Sequence, residues 1–197
     1  VITQRSLTLT GPRIFYNGKT SVAEAKAGVT INDEGTFIAA DRGFYYTKNR
    51  EVDFFGNVIV DDDSVVIEAD HINHFRNNEN SYAYGNVSVK GKENNTMLFG
   101  DTVFSIPQLD YSMATGKPLL MQIDTNYVIK ETSEKFKNPF FTLDTLFISC
   151  DTIKSFRNNG ADIYRFIDSV SMLREEVAAK GNYAEFLKKE EKINLSG

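Results

Sequence analysis

Ile67-Glu68-Ala69-Asp70, answered 15 positions after Asp70 by Gly85-Asn86-Val87-Ser88-Val89, is the stretch that decides the fold, because it recurs. Asp41 precedes Gly56 and Asp101 precedes Gly116 by the same 15 positions. Each Asp closes a short run, Ile38-Ala39-Ala40, Ile67-Glu68-Ala69 or Leu98-Phe99-Gly100, and Gly56-Asn57-Val58-Ile59-Val60 repeats the Gly-Asn-Val phrase. The unit steps by 29 and then 31 residues. A period in this range marks stacked supersecondary units, none of which can bury its apolar face alone.

Further copies lie on both sides. Ile148-Ser149-Cys150-Asp151 repeats the opening, and Asp168-Ser169-Val170 answers it after 17 positions. Val177-Ala178-Ala179-Lys180 reads as a degenerate fifth opening, Gly28-Val29-Thr30-Ile31 as an earlier Gly-led strand, and Gly11-Pro12-Arg13-Ile14 as its degenerate partner. Inside a unit, Val65, Ile67 and Ala69 alternate with Val66 and Glu68, and Val87 and Val89 alternate with Asn86 and Ser88, which is strand periodicity. Polar clusters such as Asp61-Asp62-Asp63-Ser64 and Arg76-Asn77-Asn78-Glu79-Asn80 read as turns. Each repeat is therefore two strands joined by hairpin turns.

The alternation slips at each Asp. Ala69 and Ile67 lie one and three before Asp70, whereas Ile72 lies two after it and Phe75 five after. A bulge or corner near the Asp reconciles the registers, and its carboxylate is expected to accept backbone N–H groups left unpaired there. The glycine marks a bend or a close approach of another backbone. The segment from Glu175 to Lys192 has a helix-like composition, but Gly181 and Asn182 interrupt it and the repeat register takes precedence. Leu120 to Ile148 is far longer than Val60 to Ile67, which places an insertion, a loop or an extra hairpin, at about residues 124–142. The expectation is one domain over residues 1–197, cut at its C-terminal end where Gly197 would open another strand.

Composition narrows the function. A net charge of −5 and the absence of any basic run denser than Lys188-Lys189 argue against nucleic acid. No stretch is long and apolar enough for a membrane-spanning helix. The single cysteine, Cys150, stands where Ala40 and Ala69 stand in other repeats and reads as a small buried residue. His71 and His74, three apart on a strand, face opposite sides, and Asp61-Asp62-Asp63 lacks the spaced ligands of a calcium loop, so no metal or cofactor is expected. No nucleophile elbow, P-loop or zinc-protease helix occurs, and the chain reads as a non-enzyme. Phe44, Phe75 and Phe156 fall in register after an Asp, which makes packing a simpler account of the aromatic residues than stacking on sugars.

The repeated apolar-Ala-Asp, aromatic, Gly-Asn-Val pattern, together with Ala114-Thr115-Gly116-Lys117-Pro118-Leu119-Leu120, resembles the OstA-like family of lipopolysaccharide-transport proteins, most clearly from Thr36 to Leu120. The long insertion is similar to larger variants of Bacteroidetes type. The resemblance implies an all-β fold, a repeat-built antiparallel β-jellyroll of two facing sheets. It also implies a periplasmic location, a groove for the acyl chains of lipid A, and a non-enzymatic relay of lipopolysaccharide toward the outer membrane. The inward residues would be Ile38, Val58, Val60, Val65, Ile67, Val87, Val89, Leu98 and Ile148. These residues either line a lipid trough or fill a dry core between sheets. A chain of 12 to 14 carbons needs roughly 10 kcal/mol of shielding to leave a membrane, at about 0.8 kcal/mol per methylene, which a trough supplies and a small pocket does not. Partners would be lipopolysaccharide or lipid A, other OstA-like envelope proteins, or further copies of the chain end to end. The alternatives are a structural module that joins envelope proteins through open β-edges, and a polysaccharide-binding surface.

Overall fold

The computed structural model describes residues 1–4, 7–33, 35–93, 95–129, 139–158, 160–175, 177–190 and 192–197. These residues form eighteen strands. The first seven are short: β1 (Ile2–Gln4), β2 (Leu7–Thr10), β3 (Ile14–Asn17), β4 (Val22–Ala25), β5 (Val29–Asp33), β6 (Thr36–Ala40) and β7 (Arg42–Tyr46). Then come β8 (Glu51–Asp61), β9 (Val65–Phe75), β10 (Asn80–Gly91), β11 (Thr96–Ile106), β12 (Tyr111–Thr115), β13 (Leu119–Ile129) and β14 (Pro139–Ser149). The last four are β15 (Thr152–Asn158), β16 (Ala161–Arg174), β17 (Val177–Leu187) and β18 (Lys192–Ser196). All pairings are antiparallel, and the fold is the repeat-built β-jellyroll of two facing sheets.

Six long strands, β8, β9, β10, β11, β16 and β17, contribute one end to each sheet. β8 pairs with β7 through Glu51–Phe55 and with β6 through Ile59–Asp61. The change of sheet happens at the repeat landmarks. Phe55 lies opposite His71, and the next paired residue, Val58, lies opposite Ala69, so that Gly56 and Asn57 together face Asp70. Both are left-handed, with φ of 74° and 45°; Gly85 and Asn86 (72° and 47°) and Gly116 and Lys117 (81° and 56°) follow suit. Two left-handed residues against one extended residue make a bulge that turns the strand, and only glycine adopts this region without steric cost.

Glycine is also required by contact. A Cβ on Gly56 would lie 2.6 Å from an Asp41 carboxylate oxygen, and one on Gly85 would lie 2.5 Å from that of Asp70. Among the described residues, the Asp41 and Asp70 carboxylates bond to side-chain amides rather than to the backbone N–H groups that the sequence led us to expect. Asn57 donates its side-chain amide to Asp41 at 2.8 Å, and Asn86 donates to Asp70 at 2.8 Å. The left-handed turn swings the Asn side chain across the corner and satisfies the acid there. Phe75 also departs from the straight-strand register. Asp70 breaks the alternation, so Ile72 and His74 point inward and Phe75 outward.

At the fourth corner Asp168 and Ser169 hold φ of 60° and 55° with no glycine. An Asp168→Gly variant should therefore be more stable than the natural chain by about 1 kcal/mol, a difference readable from the urea midpoint. The final repeat sits two residues later than its sequence reading. Ile167 pairs with Tyr183 and Val170 with Gly181, which makes Asn182 the landmark in place of Lys180. Gly197, with φ of 111°, packs on Asn182, 15 positions before it. The segment read as strand rather than helix is β17.

The interior is apolar. One cluster gathers Leu9, Ile31, Tyr45, Val52, Phe54 and Val58 from both sheets; a second gathers Ile148, Ile153, Phe166, Val170 and Met172, and Val103 packs against each. Cys150 is buried at 3% exposure, donates to the Thr152 carbonyl at 3.2 Å, and is pushed up to about 11 by burial, which keeps it a neutral thiol. β13 and β14 pair continuously from Leu119 opposite Ser149 to Ile129 opposite Pro139, although among the described residues neighbouring strands pair only with Leu119–Gln122 and Leu146–Ser149. This hairpin runs past the sheet margin, and residues 130–138 of the expected insertion lie outside the described residues.

Candidate functional site

The two sheets are joined along the row of corners and diverge from it, enclosing a cavity of about 510 Å³. This volume lies within the range of about 300–1,000 Å³ usual for small-molecule sites. The first sheet contributes Ile31, Ile38, Val60, Val65 and Ile67; the second contributes Val52, Phe54, Ile72, Ala83 and Val103. Asp33, Asp62, His74, Arg76, Glu79 and Ser81 form its polar side.

Four of the residues singled out from the sequence, Ile38, Val60, Val65 and Ile67, line this cavity and stay only half-buried. Val58, Val87 and Ile148 sit one residue-pair nearer the corners, or deeper in the second cluster, each at 1% exposure. Val89 is half-buried against the first cluster, and Leu98 is half-buried against the second.

Depth from the corner explains this division. Next to the corners, Val58, Ala69 and Val87 close against the facing sheet. One pair farther out Ile38, Val60 and Ile67 line the cavity, and direct pairing continues this inward row through Val89, Leu98 and Leu120 to fully buried Ile148. The facing wall at this depth is different. Pairing joins His74 to Ser81, Ser81 to Ser105, Ser105 to Ser112, and Ser112 to Ser155. These five residues share the face of buried Ile72, Ala83, Ala114 and Ile153 and stay half-buried. The sequence reading missed this hydroxyl strip, although each member lies four positions from an Asp or Gly landmark.

The mouth is spanned by an ion pair. Arg76, just past the end of β9, donates to Asp33 at the end of β5 at 2.6 Å, with side chains only 12% and 20% exposed. The contact ties the second sheet to the first across the opening. His74 lies below it, with Nδ1 2.9 Å from Ser81 Oγ. Burial first, and the Arg76 charge second, hold the His74 imidazole below its ordinary value of 6.5. A base depressed in the folded state contributes stability that is present above the unfolded value and is lost as pH falls through 6.5 toward the folded value. The urea midpoint should drop between pH 7 and pH 5, and a His74→Asn variant, which keeps a polar partner for Ser81, should drop less.

His71 faces the other way, stacked on Phe55 at 4.2 Å with Nε2 2.6 Å from Asp53. It belongs to an outer aromatic ladder through Phe44, Phe55, His71, Tyr84, Tyr82 and Phe104. Phe55 and His71 stack face to face, while the other rings stand side by side with centroids 5.3–6.5 Å apart. Ring contacts of this kind stabilise cross-strand pairs.

No family model and no curated protein matches this chain. Among solved structures it is similar to LptH from Pseudomonas aeruginosa, described as the LptA homologous periplasmic component of the conserved lipopolysaccharide transport device. The identity is 18%, the match covers 66% of this chain and 80% of that one, and the TM-score is 0.49.

Proposed function

We propose that this chain is a non-enzymatic carrier that shelters acyl chains of lipopolysaccharide or lipid A between its two sheets, in transit across the periplasm. One observation carries the reading: Ile38, Val60, Val65 and Ile67 point inward, yet remain half-exposed on the wall of a 510 Å³ cavity. Folding normally buries such residues for about 1.5–3 kcal/mol each, and a wall left unfilled recovers that free energy when an apolar chain enters. Beyond the cavity the inward row continues by direct pairing from Ile67 through half-buried Val89, Leu98 and Leu120, so apolar surface follows the stacking axis and suits a long chain better than a compact ligand. The resemblance to OstA-like transport proteins in the repeat phrases supports the same ligand class.

The unpaired edges favour assembly as part of this function. Among the described residues β3 pairs only with β4, and β18 only with β17, which leaves strand edges at both ends of the stack. Such edges recruit another chain. Docking to another OstA-like envelope protein, or to a second copy, would extend the trough; a scaffold without lipid is the competing reading. Mass spectrometry of the protein purified without detergent from an envelope that makes lipopolysaccharide discriminates between them. The carrier reading expects lipid A released on denaturation, in amounts that follow the protein through washing. A clean protein would support the scaffold.

A further inference from the structure

Packed side chains flank the cavity along the stacking axis. Toward the N-terminal strands, pairing carries the first wall from Ile38 to Ile31 and Leu9, and the facing wall from Val52 to Tyr45 and Ala23. Leu9, Ile31, Tyr45 and Ala23 are each at 1% exposure or less. Toward the C-terminal strands the inward row reaches Ile148 and its partner Met172, at 1% and 8%. An acyl chain arriving end-on would have to displace this packing. The mouth between the sheets demands less, because there Arg76 meets Asp33 by a side-chain contact alone.

The two sides of that contact differ in how firmly they are held. The Arg76 backbone N–H donates to the Arg50 carbonyl at 2.9 Å, and Asn77 donates its side-chain amide to the Asn49 carbonyl at 3.1 Å. These bonds stitch the β9–β10 turn to the β7–β8 turn of the same sheet. Asp33 stands at the tip of the β5–β6 hairpin, where the neighbouring strands pair, among the described residues, only as far as Asn32 and Phe37. The tip overhangs its sheet, and the ion pair holds it against the second one.

We propose that acyl chains enter the trough sideways through this mouth, and that the Arg76–Asp33 pair is the latch that sets how fast they enter and leave. This inference rests on the acyl-binding reading and adds the route of entry. An ion pair that water can reach opens reversibly, since water replaces each partner's contact, and dissolved salt weakens it. Breaking it lets the hairpin tip swing outward and removes no aliphatic side chain from the wall. Entry and exit therefore both accelerate, and the affinity, which is their ratio, changes little.

The test is the rate at which the purified protein takes up and releases N-phenyl-1-naphthylamine, followed by its fluorescence after rapid mixing. Arg76→Gln and Asp33→Asn should each speed uptake and release several-fold with nearly unchanged occupancy at equilibrium, and Arg76→Lys should stay near the natural rates. Added salt should speed exchange in the natural chain and leave Arg76→Gln unmoved. Asp33→Cys with Arg76→Cys, joined by a short bis-methanethiosulfonate, should exchange several-fold more slowly than the natural chain until the link is reduced. Cys150, buried and held neutral, stays out of that reaction. Rates that neither the link nor its reduction moves would overturn the side entrance while leaving acyl binding intact. So would opening variants, with unchanged unfolding transitions, that alter occupancy but not rate. No uptake by the natural chain or by any variant would overturn acyl binding as well.

Discussion

Replacing Gly85 with alanine is expected to destabilise the fold by about 2–4 kcal/mol, of which the left-handed backbone accounts for about 1–2. The remainder comes from collision, because the new methyl would stand 2.5 Å from the Asp70 carboxylate and 3.0 Å from its Cβ. Gly28 separates the two terms. It has the same conformation, φ of 71°, with nothing among the described residues within 4 Å of the added methyl. Gly28→Ala should therefore cost only the backbone share. Asp70→Gly in the Gly85→Ala background should return part of the loss, since residues in contact are not additive. Urea midpoints of the four proteins, at unchanged m-value, decide this. Equal losses for Gly85→Ala and Gly28→Ala would mean that the Asp–Gly contact does not govern the corner.

The second large effect is in the far cluster. Phe166→Ala should cost about 3–5 kcal/mol, the usual range for truncating a fully buried phenylalanine, because Phe166 is at 0% exposure among Ile153, Ala184 and Val170. Ile67→Ala should cost markedly less, since its side chain is half-exposed on the cavity wall and leaves no new enclosed void. Chemical denaturation of both variants reads the contrast. A loss at Ile67 as large as that at Phe166 would make Ile67 an ordinary core residue and remove the motive for a trough.

Both expectations trace back to features that differ in how visible they are in the chain. The corners were legible because a left-handed bulge demands glycine and a small set of partners, and Asp41, Asp70 and Asp101 stand at fixed distance from theirs. The landmark at Asn182 was harder to find, because Asn replaces Asp there, while Asp168-Ser169 carry the left-handed pair without glycine. The inward aliphatic residues were legible from alternation. Their division into closed core and open wall was not: Val58 and Val60 differ only in distance from the corner, which depends on how far the sheets have diverged. The serine strip was present in the register but silent, since serine at half-burial looks like an outward residue until the opposite wall is known. The Arg76–Asp33 contact joins residues 43 positions apart and arises from the facing of two sheets.

Site-specific photo-crosslinking on β8 and β9 tests the central claim most directly. Ile59 and Ile67 are both aliphatic and lie within one hairpin, but Ile59 is 39% exposed on the outer face and Ile67 lines the cavity. With a photoreactive residue placed at either position and lipopolysaccharide supplied to the folded protein, the account predicts a lipopolysaccharide adduct at position 67 and none at position 59. Adducts of equal yield at both, or none at position 67 in a protein with an unchanged unfolding transition, would contradict it.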